Sequence, residues 1–162
     1  VIVCNDRYGF GKGWAVREAL KEAKGDMIAF VDGDFDIHPR MLGRLVVFLK
    51  DYDIVVGRKQ IRGRIVRRLV TRLSRLFIRL LFGINIDTQT GIKIFRREAL
   101  CDWTEDGFLF DLEILFKAKQ AGLKIIEVPV ESTPYGASSK SLHGKGVWSC
   151  FLAALRIWKD NI

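Results

Sequence analysis

Short apolar runs alternate along this chain with longer stretches whose apolar positions recur every three or four residues. The runs at 1–4, 27–32, 53–57, 91–95 and 124–130 have the length and β-branched content of buried strands. The stretches 12–24, 39–50, 62–82, 108–121 and 146–159 carry helical spacing, with a further short helix near Arg97. Punctuation agrees: Gly25 and Gly122 follow helical stretches, where a left-handed cap is needed, and Pro39 opens one. Strands alternating with helices predict one α/β domain over 1–162, a mostly parallel sheet flanked by helices. In such sheets ligands gather beyond the carboxyl ends of the strands. The segment 131–145, rich in Ser and Gly, is the candidate mobile segment, and the sequence has no internal repeat.

Composition narrows the classes. At 162 residues and 49% hydrophobic content the chain can bury one sizeable core. Cys4, Cys101 and Cys150 are far apart and odd in number, which predicts reduced interior thiols of a cytosolic protein, not a disulfide frame or zinc site. The only histidines are His38 and His143, and no run of 18 apolar residues is present to span a bilayer. The net charge of +8 has one source. Nine basic residues and no acidic one lie from Arg58 to Arg79; without them 18 basic residues face 19 acidic ones, a balance of −1. A nearly neutral domain carrying one cationic element points to a localised anionic partner.

Four patterns carry candidate chemistry. Asp32-Gly33-Asp34 ends the apolar run 27–32, and Asp36 extends it. Carboxylates at i and i+2 of a strand end point the same way, their Cα atoms about 6.5 Å apart. Oxygen donors of this kind suit a hard divalent cation, which in turn suits a diphosphate, although a solvated acidic turn has the same pattern. Gly9-x-Gly11-Lys12-Gly13 precedes a helix whose N-terminus could offer N–H groups to an anion, or could be a plain turn; it lacks Walker spacing. In 62–82, Arg64, Arg68, Arg72, Arg75 and Arg79 form one stripe beside Ile65, Leu69, Leu73, Leu76 and Leu80. A cationic face beside a broad apolar one describes an interfacial helix or a helix packed on a sheet. Nucleic acid is disfavoured, since no aromatic residues are interleaved for base stacking. The last helix repeats the theme with Trp148, Phe151, Leu152, Leu155 and Trp158. Asp87-x-x-Thr90-Gly91-x-Lys93 and Phe110-Asp111-Leu112-Glu113 complete the set, without a role evident from spacing alone.

The ordered set resembles the family-2 glycosyltransferases of GT-A (Rossmann-like) fold, in the branch of dolichyl-phosphate mannose synthase and the polyprenyl-phosphate glucosyltransferases. The matching residues are Gly11-Lys12-Gly13-x-Ala15-Val16-Arg17, Gly25-Asp26, Asp32-Gly33-Asp34-x-Asp36-x-x-Pro39, Val56-Gly57 with the basic pair after it, Asp87-Thr88-Gln89-Thr90-Gly91, Phe110-Asp111-x-Glu113, Glu127-Val128-Pro129-Val130 and Tyr135-Gly136-x-Ser138-Ser139-Lys140. The resemblance implies transfer of a hexose from a nucleotide-diphosphate sugar (GDP-mannose or UDP-glucose class) to a polyprenyl phosphate. It places Asp32 near the ribose or sugar, and Mg²⁺ or Mn²⁺ on Asp34 and Asp36. Gly11, Lys12, Gly13 and Lys140 fall on the donor side, and Arg58 or Lys59 on phosphate. Asp87, Thr90 and Gly91 line the acceptor pocket. It also makes 61–82 and 146–160 interfacial helices on the cytoplasmic face of an anionic membrane. The family normally begins with a strand and an acidic pair that grips the base, so an N-terminally truncated domain is expected, and Thr133 stands where an arginine is expected. Two other readings remain: a non-catalytic membrane-associated remnant, and an enzyme acting on a glycan acceptor.

Overall fold

The computed structural model describes residues 11–59, 65–88, 90–132 and 144–162. The expected strand at 1–4 and the segment 133–143, with Lys140, lie outside the described residues. The elements run α1 (Lys12–Glu22), β1 (Met27–Val31), α2 (Leu42–Leu45), β2 (Ile54–Lys59), α3 (Ile65–Phe82), β3 (Ile92–Arg96), α4 (Phe110–Gln120), β4 (Ile125–Val130) and α5 (Gly144–Asp160).

The four strands form one sheet in the order β1-β3-β2-β4. β3 is antiparallel to both neighbours, in register Val31↔Ile92 with β1 and Val56↔Lys93 with β2. β2 and β4 are parallel. Three of the four described strands therefore share a direction, but two of the three pairings are antiparallel. The sheet keeps the expected common direction in three strands, with β3 alone reversed. The reason is topological: the chain returns from α3 at the carboxyl edge and enters β3 from that side. β2 and β3 occupy the middle and are buried on both faces over most of their length, as interior strands are.

Alternation of side chains splits the core in two. Ile54, Val56 and Phe95 face α4 and α5, packing with Phe110, Leu112, Leu115, Ala154 and Ile157. Val55, Ile92 and Ile94 face the segment 39–50, meeting Met41, Leu45 and Leu49. That segment is not the single helix its spacing predicts. It winds as a 3-10 turn (Pro39–Met41), the short α2 and a second 3-10 stretch (Val46–Lys50), with Gly43 and the β-branched pair Val46-Val47 weakening α-helix here. α1 also stops before Gly25: Ala23 is extended, and the Arg97 guanidinium donates to the carbonyls of Ala23 (2.6 Å) and Gly25 (2.7 Å).

Candidate functional site

The reversed strand brings two distant motifs together. The Asp32 N–H at the end of β1 donates to the Gly91 carbonyl just before β3, at 2.8 Å. A Cβ on Gly91 would lie 2.2 Å from Asp32 Oδ2, so only glycine lets this carboxylate lie against the strand start. The Asp32 side chain shares a face with Phe30, whose ring stacks on Phe95 and Phe110. On that face Lys12 Nζ sits 2.5 Å from Asp32 Oδ1 and 5.8 Å from the centre of the Phe110 ring.

Asp34 and Asp36 belong to a separate turn. Phe35 between them has φ 56, a conformation costly for an aromatic residue. The Asp36 N–H donates to Asp34 Oδ1 at 3.1 Å, and the Lys59 ammonium pairs with Asp36 Oδ2. A bridge from Ile37 to Ser132 ties the exit of the turn to the end of β4. Each end of the motif thus carries an ammonium, Lys12 on Asp32 and Lys59 on Asp36. Among the described residues no cluster of three or more His, Cys, Asp or Glu could hold a metal by itself. Two adjacent carboxylates on an exposed turn do fit a cation that keeps waters and takes its remaining oxygens from substrate phosphates, the usual mode of Mg²⁺.

At the start of α1 the backbone N–H groups of Gly13 and Trp14 are turned to a loop of this chain. The N–H of Gly13 donates to the carbonyls of Asp106 (2.8 Å) and Gly107 (3.2 Å), and that of Trp14 to Asp106. A Cβ would lie 2.4 Å from Asp106 O at Gly11 and 2.3 Å from Glu105 O at Gly13. The glycines therefore let the loop 103–107 lie against the helix end, locked by Arg17 on Asp106 and on the Trp103 carbonyl and ring. Only the Lys12 side chain reaches the cluster at the carboxyl edge.

Beneath Asp32, Lys93 Nζ lies 2.7 Å from Asp111 Oδ2 and 2.6 Å from the Thr90 carbonyl. Both members of this pair are buried, at 3% and 6% side-chain exposure. Burial pushes the Asp111 carboxyl above its ordinary range, against the pull of the Lys93 and Lys12 ammonium groups. Asp111 Oδ1 and Thr90 Oγ1 are buried without a hydrogen-bond partner. The other α4 carboxylate, Glu113, accepts from the N–H groups of Thr104 and Glu105 and pairs with Lys117 at 2.7 Å. Burial alone would raise it, yet the Lys117 bond and those N–H groups hold it below the usual carboxylate value. It is a structural anchor for the loop into α4.

On the same sheet face a cavity of about 160 Å³ opens between β2, β4 and the loop after α3. Arg58, Arg75, Asn85, Asp87 and Glu127 line it. Arg75 pairs with Asp87 at 2.5 Å, Glu127 Oε1 accepts the Asp87 N–H, and Arg58 stands 4.0 Å from Glu127 Oε2. The pair Arg58-Lys59 is divided by the pleat, with Arg58 on this cavity and Lys59 at Asp36 on the other side. Of the expected acceptor residues only Asp87 lines the cavity. The Thr90 carbonyl accepts from Lys93 and the Gly91 carbonyl from the Asp32 N–H, which sets both beside the end of β1. Lys93, Asp111 and Glu127 are the residues that spacing left without a role, and Arg75 belongs to the cationic stripe. Their signal was a charge inside an apolar element, as in Ile92-Lys93-Ile94 and Ile126-Glu127-Val128.

The broad apolar face of α3 is divided. Phe77, Ile78, Leu81 and Phe82 pack inward, and Phe77 meets Phe151 of α5 at 4.8 Å. Leu69, Leu73, Leu76 and Leu80 are 50–77% exposed, as are Trp148 (66%) and Leu152 (62%) on α5. Arg64 lies outside the described residues; Arg72 and Arg79 are exposed, whereas Arg75 turns to Asp87. Among the described residues no helix is long and apolar enough to cross a membrane.

Known proteins share this frame. The chain is 32% identical over 144 residues to glycosyltransferase AglD of Haloferax volcanii, covering 82% of this chain and 23% of that protein. It is 26% identical over 117 residues to the undecaprenyl-phosphate mannosyltransferase of Micrococcus luteus, covering 65% and 48%. It also superimposes on glucosyl-3-phosphoglycerate synthase from Mycobacterium tuberculosis, solved with Mn²⁺, UDP-glucose and glycerol 3-phosphate. That match has a TM-score of 0.69 and 25% identity, covering 98% of this chain and 56% of the other. The same enzyme has been crystallised with Mg²⁺ and UDP. The chain spans less than two thirds of the length of these relatives. The family model for glycosyl transferase family 2 matches residues 1–103, most of the chain and the whole of the aspartate edge, and the chain belongs to that family.

Proposed function

We propose that this chain forms the catalytic edge of an enzyme that moves a hexose from a nucleotide-diphosphate sugar to a polyprenyl phosphate at a membrane surface. The observation that carries the reading is the antiparallel β3. It sets Gly91 against Asp32 and leaves Asp87 in a cavity with two arginines, so a donor edge and an anion pocket adjoin. Asp34 and Asp36 would hold Mg²⁺ or Mn²⁺, which when bound neutralises charge growing on the departing diphosphate. Lys59 beside Asp36 and Lys12 beside Asp32 add fixed positive charge along the same edge. Arg58 and Arg75 would orient the acceptor phosphate. A phosphate monoester has a second pKa of about 6, so it is already a nucleophile at neutral pH. Positioning and electrostatics then suffice without a strong general base, and in-line attack inverts the anomeric carbon. The exposed leucines of α3, with Arg72 and Arg79 beside them and Trp148 on α5, support an interfacial placement that keeps the prenyl tail in lipid. The undecaprenyl-phosphate mannosyltransferase relative supports the same acceptor class.

A soluble phosphorylated acceptor is the second reading, favoured by the relative that was solved with glycerol 3-phosphate. One assay tests both. Radiolabelled UDP-glucose and GDP-mannose are offered with Mn²⁺ and either undecaprenyl phosphate or glycerol 3-phosphate, and label is followed into lipid or water. Asp34→Ala and Asp36→Ala should each lower turnover about a hundredfold. Unchanged turnover in both removes the metal site, and label in the aqueous product alone removes the lipid acceptor.

A further inference from the structure

Glu127 sits on β4 between two apolar neighbours, and its carboxylate is largely buried, at 17% exposure. A carboxylate withdrawn this far from water needs partners. It has two, on different elements. One oxygen accepts the N–H of Asp87, which tethers the loop that brings Asp87 to Arg75. The other faces Arg58 of β2 at 4.0 Å, a loose contact to a guanidinium that is 52% exposed. The two contacts differ in strength. A hydrogen bond to a charged acceptor in a partly buried place is substantial. A long ion pair with an exposed partner is weak and easily exchanged.

We propose, resting on the acceptor-phosphate reading of this cavity, that Glu127 is a positioning residue with two separable jobs: it tethers the Asp87 loop permanently and holds Arg58 in reserve until an acceptor phosphate takes that arginine over. The tether keeps Arg75 and Arg58 converging on one space. The reserve contact gives Arg58 a partner when no acceptor is present, and its release costs the incoming phosphate little.

The two jobs respond oppositely to two substitutions. Glu127→Gln keeps an amide oxygen for the Asp87 N–H and removes the charge that competes for Arg58. Its affinity for a phosphate monoester should rise about two- to fivefold. Glu127→Ala removes both, releases the loop, and should lower affinity about tenfold or more. The probe is farnesyl phosphate titrated into the full chain by calorimetry, with hydrogen exchange at the Asp87 amide as a second readout. That amide should stay protected in Glu127→Gln and exchange faster in Glu127→Ala. Wild-type binding with both variants shifted in the same direction, or neither shifted, overturns the inference and leaves the pocket reading standing. Arg58→Ala and Arg75→Ala mark the other failure: if the wild type does not bind, or both arginine variants bind as it does, the pocket reading falls and this inference with it. Unchanged Asp87 exchange in Glu127→Ala overturns the tether whatever the affinities are.

Discussion

Replacing Lys93 by methionine removes the cation facing Asp111 while keeping the length and most of the volume of the side chain. The structure fixes what this should cost. Both partners are almost inaccessible to water, and the ammonium serves Asp111 at 2.7 Å and the Thr90 carbonyl at 2.6 Å. Breaking a buried pair from one side leaves an uncompensated charge and costs about 3–5 kcal/mol. Asp111→Leu does so from the other side, leaving the ammonium with only a carbonyl. The double variant leaves no stranded charge, and its remaining defect is the Thr90 carbonyl, worth about 1–3 kcal/mol. The double should therefore lose about 2 kcal/mol where two additive singles would lose more than about 6 kcal/mol. Urea unfolding followed by circular dichroism, at neutral pH, measures all four corners of the cycle. A double variant whose loss equals the sum of the singles would refute the pairing.

The pH dependence of Lys93→Met supplies an independent check. Burial already raises the Asp111 pKa in the wild type, and losing Lys93 removes the group that lowers it most. The sign follows from linkage: an acid with a raised folded-state pKa binds its proton more tightly when folded. Its contribution is complete below the unfolded pKa and is lost as pH rises through the folded one. Lys93→Met should therefore lose stability, relative to wild type, as pH rises from about 4 to 8. A difference that is flat over this range would mean that Asp111 is not the charge Lys93 compensates.

Glu113→Ala orphans the N–H groups of Thr104 and Glu105 and unpairs Lys117, so it should lower unfolding free energy by about 3 kcal/mol in the same urea assay. Because the folded Glu113 pKa is lowered, its contribution to the wild type is present above the unfolded value. It disappears as pH falls through the folded one, and the gap between wild type and Glu113→Ala should narrow in acid. On α3, Leu73→Glu with Leu80→Glu should abolish flotation with phosphatidylglycerol vesicles. Each exposed leucine contributes about 1.5–3 kcal/mol if buried in the interface, so flotation equal to wild type would remove α3 as the contact.

The elements were legible because apolar periodicity is a local property. The positions of β1, β2, β3 and β4 follow from runs such as Ile54-Val55-Val56, and α3 and α5 from their stripes. Strand direction was not legible. Nothing local to Ile92-Lys93-Ile94-Phe95 says that this run enters the sheet from the carboxyl edge, since direction is set by which end of α3 the chain leaves. The same limit applies at α1. Gly11 and Gly13 announce a close approach of backbone, but whether the approaching group is a phosphate or the Asp106 carbonyl is decided 93 residues away in sequence. Lys93 and Glu127 carried a readable warning, because a charge inside an apolar strand requires a partner, though the partner's identity comes only with the fold.

Direction and pleat together explain how one strand end serves two chemistries. Arg58 and Lys59 are consecutive, so the pleat must send them to opposite faces, one to the cavity at Glu127 and one to the aspartate turn. This division is only as secure as the register, because a slip of one residue would exchange them. Register is held where β2 is most tightly packed: a Cβ on Gly57 would lie 2.4 Å from the Ile92 side chain, and Arg58 and Lys59 follow directly. Ile92 in turn pairs with Val31, immediately before Asp32. The contact that fixes the two basic residues is thus the contact that fixes the aspartate edge, so that edge and the cavity at Arg58 cannot shift independently. The proposed transfer between two phosphate-bearing substrates would need that coupling, since an error of about 1 Å between them can cost about a hundredfold in rate.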